Sequence, residues 1–145
     1  MDKKGLHIIA FDNPQPPDYG GAIDVFYKIK FLAAQQIDII LHIWQYNERT
    51  QVDELRKYCK EIYFYPRDMR WYKHLSRHPF IVRSRRSKHL ENRLLEDDFP
   101  ILVEGIHGLD ILRNSALRKR KMERGGRGRA FGGTEKRHRQ RTHSR

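Results

Sequence analysis

The chain has 145 residues, the usual size of one domain, and carries 30 Lys or Arg against 18 Asp or Glu, a net charge of +12. Its single cysteine, Cys59, excludes an internal disulfide bond and a cysteine-based zinc site, and no run approaches the roughly 20 apolar residues needed to cross a bilayer. We therefore expect a soluble, cytoplasmic protein without a signal peptide.

The positive charge is concentrated at the C-terminal end. Residues 113–145 hold 13 Lys or Arg and two acidic residues. Residues 1–112 hold 17 Lys or Arg and 16 acidic residues, so this part of the chain is nearly neutral. The C-terminal segment has five apolar residues, too few to offset an ordering entropy of roughly 1–2 kcal/mol per residue. The composition predicts a domain over 1–112 and a basic, disordered tail over 113–145.

The first third of the chain reads as strand, loop, helix and strand. The apolar run over 6–11 is typical of a buried parallel strand, and a proline-rich loop over 12–19 follows it. Gly20-Gly21 then opens a helix over 21–36, and a second strand is predicted over 37–44, with His42 as an interior histidine. The i, i+3, i+4 spacing predicts that the helix buries Ile23, Phe26, Tyr27, Lys30, Phe31 and Ala34.

The alternation continues to residue 107. A short helix over 51–60 with Thr50 as its N-cap, a third strand over 61–65, helices over 68–76 and 87–97, and a fourth strand over 100–103 are predicted. This order indicates an α/β fold, a Rossmann-like parallel sheet with helices on both faces. Ligands of such sheets bind beyond the carboxyl ends of the strands, so the first loop and the segment 104–107 are expected to line one crevice.

Two interpretations of Gly20-Gly21 stand side by side. The glycines either satisfy a conformational need where the helix meets the sheet, or let an anion such as a phosphate approach the free N–H groups of the helix start. The long, proline-stiffened loop before them favours a ligand, because loops between a strand and a helix usually take 2–6 residues.

The segments IIAFDNPQPPDYGGAIDVFYKIKFLAAQQIDIILHIWQY and PFIVRSRRSKHLENRLLEDDFPILVEGIH resemble the N-terminal domain of nucleotide-sugar-dependent glycosyltransferases of the GT-B fold, in particular the family 4-like group. The resemblance covers roughly residues 6–121. Gln36-Ile37-Asp38 stands at the family's junction between first helix and second strand, without the glycine that is usual there.

The resemblance implies one of two Rossmann-like domains that face each other across a cleft, namely the half that mainly holds the acceptor. Gly20 and Gly21 would lie beneath the donor phosphate and the transferred sugar, with Asp18 and Tyr19 beside them as donor- or acceptor-binding residues. His107 stands where many members place a histidine facing the sugar, and Glu104 is its neighbour; both are candidate catalytic residues.

The implied partners are a nucleotide-sugar donor and a glycan or lipid-linked acceptor, without a cofactor. No metal is expected, because His7, His42 and Cys59 are not arranged as metal ligands. Arg83, Arg85, Arg86 and Lys88 form a basic cluster that either is a solvated face or makes weak contact with an anionic membrane, placing the chain peripherally at the inner membrane face. Without a donor-binding domain, we expect this polypeptide alone to be inactive.

The tail allows three interpretations: an RG-rich segment that binds nucleic acid, a solvated end, or a shifted reading frame after about Lys121, which we favour because the family continues with a further strand and helix. The alternative to the transferase hypothesis is a small α/β binding module whose RG-rich tail binds nucleic acid.

Overall fold

A computed structural model describes residues 4–45, 48–67, 87–105, 111, 113–119 and, as backbone, 122–125. Its elements, in chain order, are β1 (Gly5–Ala10), α1 (Gly20–Ala34), β2 (Asp38–Gln45), a 3-10 helix (Leu55–Lys57), β3 (Glu61–Pro66), α2 (Lys88–Leu94), β4 (Ile101–Glu104), α3 (Ser115–Arg118) and β5 (Met122–Gly125). Among these described elements, no helix has the length and apolar character needed to span a membrane. The predicted helix over 68–76, the basic residues at 83–86 and His107 lie outside the described residues.

The strands form one sheet in the order β3-β2-β1-β4-β5, and every neighbouring pair is parallel. Ile8 in the central strand lies opposite Leu41 of β2 on one side and Leu102 of β4 on the other. The predicted α/β class with a Rossmann-like parallel sheet is confirmed, because the chain first builds outwards through β2 and β3 and then returns to the other side of β1.

Helices cover both faces, and each face has its own core. On the first face, α1 and the 3-10 helix pack on the sheet; on the second face, α2 and α3 do so. The first core contains Ile8, Ala10, Val25, Phe26, Ile29, Ile39, Leu41, Ile43, Val52, Leu55 and Cys59. The second contains Ile9, Trp44, Tyr65, Leu90, Leu94, Ile101, Val103, Ile111 and Leu117. Strands buried on both faces are what a parallel sheet demands, and they explain the nearly continuous apolar runs.

The face that α1 buries differs from the predicted one. Of the six residues expected inside, Phe26 is buried, whereas Ile23, Tyr27 and Phe31 are 41%, 56% and 65% exposed. The helix instead buries Ala22, Val25, Phe26 and Ile29. Apolar residues occupy two adjacent stripes of this helix, and the stripe with the smaller side chains, including Ala22 and Val25, lies against the sheet.

The prediction of a helix over 51–60 with Thr50 as its N-cap is wrong. The structure has a single 3-10 turn, Leu55–Lys57, whose N-cap is Glu54. The reason is a set of side chains that reach in from the first loop. Gln15 Oε1 accepts the backbone N–H groups of Glu54 and Leu55, and Asn13 Nδ2 donates to two carbonyl groups just before the turn. These side chains satisfy backbone groups that would otherwise bond within a helix.

Two elements lie within the segment 113–145 that its composition assigns to a tail. Leu117 on α3 is fully buried in the second core, and the side chain of Asn114 caps this helix by accepting from the N–H groups of Ala116 and Leu117. β5 then pairs with β4, with Glu123 opposite Leu102. One buried leucine and backbone pairing fix this stretch, although it has little of the apolar pattern that marks the other strands.

α1 ends in a left-handed residue. Gln36 has a φ of 60°, and its N–H donates to the carbonyl of Ala33, as is common for a residue just past the end of a helix. This conformation favours glycine, because a side chain in the left-handed region costs about 1–2 kcal/mol. Gln36 belongs to the Gln36-Ile37-Asp38 junction, at which the resembled family usually carries a glycine.

Replacing Gln36 by glycine should therefore stabilise the fold. We expect Gln36→Gly to raise the free energy of unfolding in urea by about 0.5–1 kcal/mol, since relief of left-handed strain exceeds the greater backbone entropy of glycine. The matched control is Gln35→Gly, where φ is −85° and glycine should lower stability instead. Equal effects of the two variants would contradict the assigned conformation.

Candidate functional site

The strand order reverses between β1 and β4, and their carboxyl ends lie side by side. Ile9 is paired with Val103, so the loop after β1 and the segment after β4 leave the sheet at the same edge. Glu104, the last residue of β4, is buried and accepts a 2.6 Å hydrogen bond from Lys28 Nζ. Burial alone would lower the pKa of Lys28, but the hydrogen bond that Lys28 donates to Glu104 opposes burial, and the pKa is raised overall. The following Gly105 has a φ of 77°.

The start of α1 lies at this reversal point, directly after the first loop. Tyr19 is the N-cap, and its side chain makes no capping hydrogen bond to the helix. A Cβ atom on Gly20 would meet nothing within 4 Å, whereas a Cβ on Gly21 would lie 2.7 Å from the Phe11 ring. Gly105 is the one glycine with positive φ among the described residues, so neither helix glycine serves a left-handed turn. Gly21 is required by packing, and Gly20 leaves the backbone approachable.

Arg49 holds the proline-rich loop in place. Its guanidinium donates to both carboxylate oxygens of Asp18 at 3.0–3.1 Å and to the carbonyl of Pro16 at 2.7 Å. It also lies over the ring of Tyr19, with the guanidinium carbon 5.4 Å from the ring centre. The hydrogen bond from Arg49 lowers the pKa of Asp18. Asp18 therefore has a structural partner already, which a sugar hydroxyl would have to share.

Buried amide side chains complete the attachment of this loop. Asn13 and Gln15 are both buried, and each bridges to the segment after β2. Asn13 donates to the carbonyls of Arg49 and Gln51, and Gln15 Nε2 donates to Asp53 at 2.7 Å. Because buried polar groups cost free energy when left unpaired, these bonds specify one loop conformation. The loop is thus held in one conformation beside the point where the strand order reverses.

The structure brings most of the predicted site residues to one edge. Gly20, Gly21, Asp18 and Tyr19 lie at the loop end and helix start, and Glu104 lies at the neighbouring strand end. The Tyr19 hydroxyl donates to Asp12, and burial, followed by the charge of Asp12, raises the pKa of Tyr19 to about 12. His107 lies outside the described residues.

Sequence reasoning missed Lys28 and Arg49, the two cations that organise this edge. Each is a single basic residue in a helix or loop of mixed polarity, and one sequence carries no signal that pairs Lys28 with a residue 76 positions away. Among the residues that the structure describes, no group of three or more His, Cys, Asp or Glu side chains is arranged to hold a metal ion.

A second polar system crosses the other face of the sheet. His7 and His42 are both buried, and their rings are joined by a 2.9 Å bond from Nδ1 to Nε2. His7 Nε2 lies 2.9 Å from the carboxylate of Asp97, and His42 Nδ1 lies 2.8 Å from the hydroxyl of Tyr65. Arg93 Nη1 donates to that hydroxyl at 3.2 Å. The prediction of an interior, hydrogen-bonded His42 is confirmed.

When both imidazoles are neutral, the chemistry of the two ends fixes the direction of every bond. The carboxylate of Asp97 only accepts, so His7 donates through Nε2–H and accepts at Nδ1. His42 then donates to His7 and accepts the phenolic proton of Tyr65, whose oxygen in turn accepts from Arg93. The result is a one-way chain of donors that runs from Arg93 to Asp97. In this arrangement both nitrogens of each imidazole and the Tyr65 hydroxyl have hydrogen-bond partners.

Comparison of the chain with protein-family models, with curated proteins and with solved structures finds no match. The functional interpretation therefore rests on the residues and on the geometry described above.

The two helix-start glycines should respond differently to an added methyl group. Gly21→Ala should lower the free energy of unfolding by about 1–3 kcal/mol, because its Cβ would displace the packed ring of Phe11. Gly20→Ala, which opens into free space, should change stability by less than about 0.5 kcal/mol. Urea unfolding of the pair measures the difference; equal destabilisation would contradict the open approach at Gly20.

The buried histidine should make stability fall in acid. Burial, then the charges of His7 and Arg93, lower the pKa of His42 from its ordinary 6.5 to about 3. At a pH between about 3 and 6.5, His42 is protonated in the unfolded chain but not in the folded chain. The free energy of unfolding therefore decreases as the pH falls below 6.5, by up to about 1.4 kcal/mol per pH unit.

Urea unfolding between pH 7 and pH 4 tests this linkage. We expect His42→Phe to be less stable at neutral pH, because His7 and Tyr65 lose a partner, but to show a shallower acid decline than the wild type. The exposed His89→Gln should keep the wild-type slope. Parallel curves for wild type and His42→Phe would refute the assignment.

Proposed function

We propose that this chain is the acceptor-side, Rossmann-like domain of a nucleotide-sugar-dependent glycosyltransferase of the GT-B type. The observation that carries the proposal is the start of α1. Its Gly20 backbone is approachable, its N-cap side chain leaves the helix uncapped, and it lies where the strand order reverses. Free N–H groups and the helix dipole at such a place attract phosphate or other anionic groups.

The end of α1 gives independent support. The resembled family usually has glycine at the junction between its first helix and second strand, and here Gln36 of that junction adopts a φ of 60°. A backbone conformation that suits glycine is thus retained although the glycine itself is absent. The backbone conformation at this junction is therefore compatible with the glycine that is usual in the resembled family, and in that respect it supports the proposal.

The crevice offers a role for each group at its edge. The first loop, held rigid by Arg49, Asn13 and Gln15, supplies a wall against which an acceptor can be oriented without further ordering cost. Helix-start N–H groups stabilise negative charge on the donor phosphate or on the leaving diphosphate. Glu104, held by Lys28, lies at the neighbouring strand end as a buried carboxylate at the rim of the reacting centre.

Transfer would need charge stabilisation from a second, facing domain that holds most of the nucleotide sugar. We therefore expect no steady turnover when this polypeptide alone is incubated with uridine- and guanosine-diphosphate sugars. We do expect weak, saturable shifts of the Gly20, Gly21 and Gly105 amide signals when the chain is titrated with the same compounds in an NMR experiment. Gly20→Ala, whose fold should be intact, should reduce these shifts because a methyl group now occupies the approach.

The turnover assay and the NMR titration test different parts of the proposal. Steady turnover by this chain alone would show that the facing domain is dispensable. Unmoved glycine signals at saturating ligand, or unchanged shifts in Gly20→Ala, would remove the helix start from the binding site and with it the proposed function.

A further inference from the structure

A cavity of about 620 Å³ opens at the end of β3, on the edge strand of the sheet. Among the described residues, one wall comes from the end of β3 and the residue after it, and the other comes from Ser87 and α2. The lining residues are Phe64, Tyr65, Pro66, Arg67, Ser87, Lys88, His89 and Arg93. β2 separates β3 from the central strand, so this cavity is distinct from the crevice between β1 and β4.

The described lining is basic. It contains Arg67, Lys88, Arg93 and His89 and no acidic residue. The sequence around it has the same bias, because residues 67–93 hold nine Lys or Arg against two acidic residues, a net charge of +7. The rest of residues 1–112 holds eight Lys or Arg against fourteen Asp or Glu, a net charge of −6. The positive charge of the near-neutral domain is therefore gathered in the segment that begins and ends at this cavity.

Arg93 is held in position before any ligand arrives. Its guanidinium carbon lies 3.7 Å from the centre of the Tyr63 ring, and its Nη1 donates to the Tyr65 hydroxyl. Tyr65 is itself buried and oriented by His42. No carboxylate of the described residues forms an ion pair with Arg93. A guanidinium that is held in place, and that has no ion pair with a carboxylate of the described residues, loses little entropy when it binds an anion in a forked geometry.

We propose that this cavity binds the phosphate group of a small molecule, with Arg93 as the fixed donor and Lys88 and Arg67 as further cations. Phosphate matches the forked donors of arginine, and the volume is that of small-molecule sites. The rings of Phe64 and Tyr65 and the ring of Pro66 offer an apolar wall for the rest of the ligand. The proposal does not depend on the transferase hypothesis.

Phosphate can reach this cavity on a soluble compound or on a lipid headgroup, and two probes separate these sources. The full chain is titrated with pyrophosphate by calorimetry, and in parallel with phosphatidylcholine vesicles that contain or lack phosphatidic acid. We expect Arg93→Gln to weaken binding about tenfold or more for the probe that binds, and Lys88→Gln to weaken it several-fold. The control is Arg56→Gln, an exposed change on the 3-10 helix across the sheet, which should bind like the wild type.

Every variant carries the basic segment 113–145, so binding by that segment contributes equally and cancels. Loss of pyrophosphate binding in Arg93→Gln supports a soluble ligand, and selective loss of binding to the anionic vesicles supports a headgroup. If neither probe binds, or if Arg93→Gln and Lys88→Gln bind as tightly as Arg56→Gln, the site is refuted. Because Lys88 is largely exposed, its variant remains informative even if Arg93→Gln fails to fold.

Discussion

The burial of β1 on both faces is the constraint on which the other features depend. Because β1 is central and parallel to β2 and β4, its apolar residues must serve two cores, and its one histidine must find partners without water. Those partners come from β2 and from the segment after α2, so the polar chain from Arg93 to Asp97 follows from the position of His7. The same central position places the carboxyl ends of β1 and β4 together, at the point where the strand order reverses.

The two polar systems show how a loop and a sheet face become rigid by different means. In the first loop, Arg49, Asn13 and Gln15 satisfy backbone groups directly, which fixes the chain where it is irregular. On the second face, ring nitrogens and a hydroxyl satisfy one another, while the backbone is already paired in the sheet. Both arrangements leave groups at the surface in fixed positions: Gly20 at the start of α1 and Arg93 at the cavity beside the end of β3. Binding sites require such preorganisation.

Secondary structure could be predicted from the sequence wherever a continuous apolar run is buried in the fold. The first four strands, the helix after Gly20 and the Ser87 cap of α2 could be predicted, since burial and capping leave a mark in the residue types. The buried face of α1 could not, because its two apolar stripes fit the same periodicity and only the surface of the sheet chooses between them. β5 was missed since its pairing uses backbone groups, and Arg49, Lys28 and Arg93 were missed since their partners are remote in the chain.

The paired histidines also bear on how the strands find their alignment during folding. Runs such as IIA and IILHIW are apolar on both faces, so sliding one strand by two residues keeps every side chain on its original face and costs little in apolar contact. Such a slip would carry His42 away from both His7 and Tyr65 and strand their polar atoms in a dry interior, at about 1–3 kcal/mol for each. The hydrogen bonds of the imidazole pair therefore favour a single register of β1, β2 and β3 over the registers that differ from it by two residues.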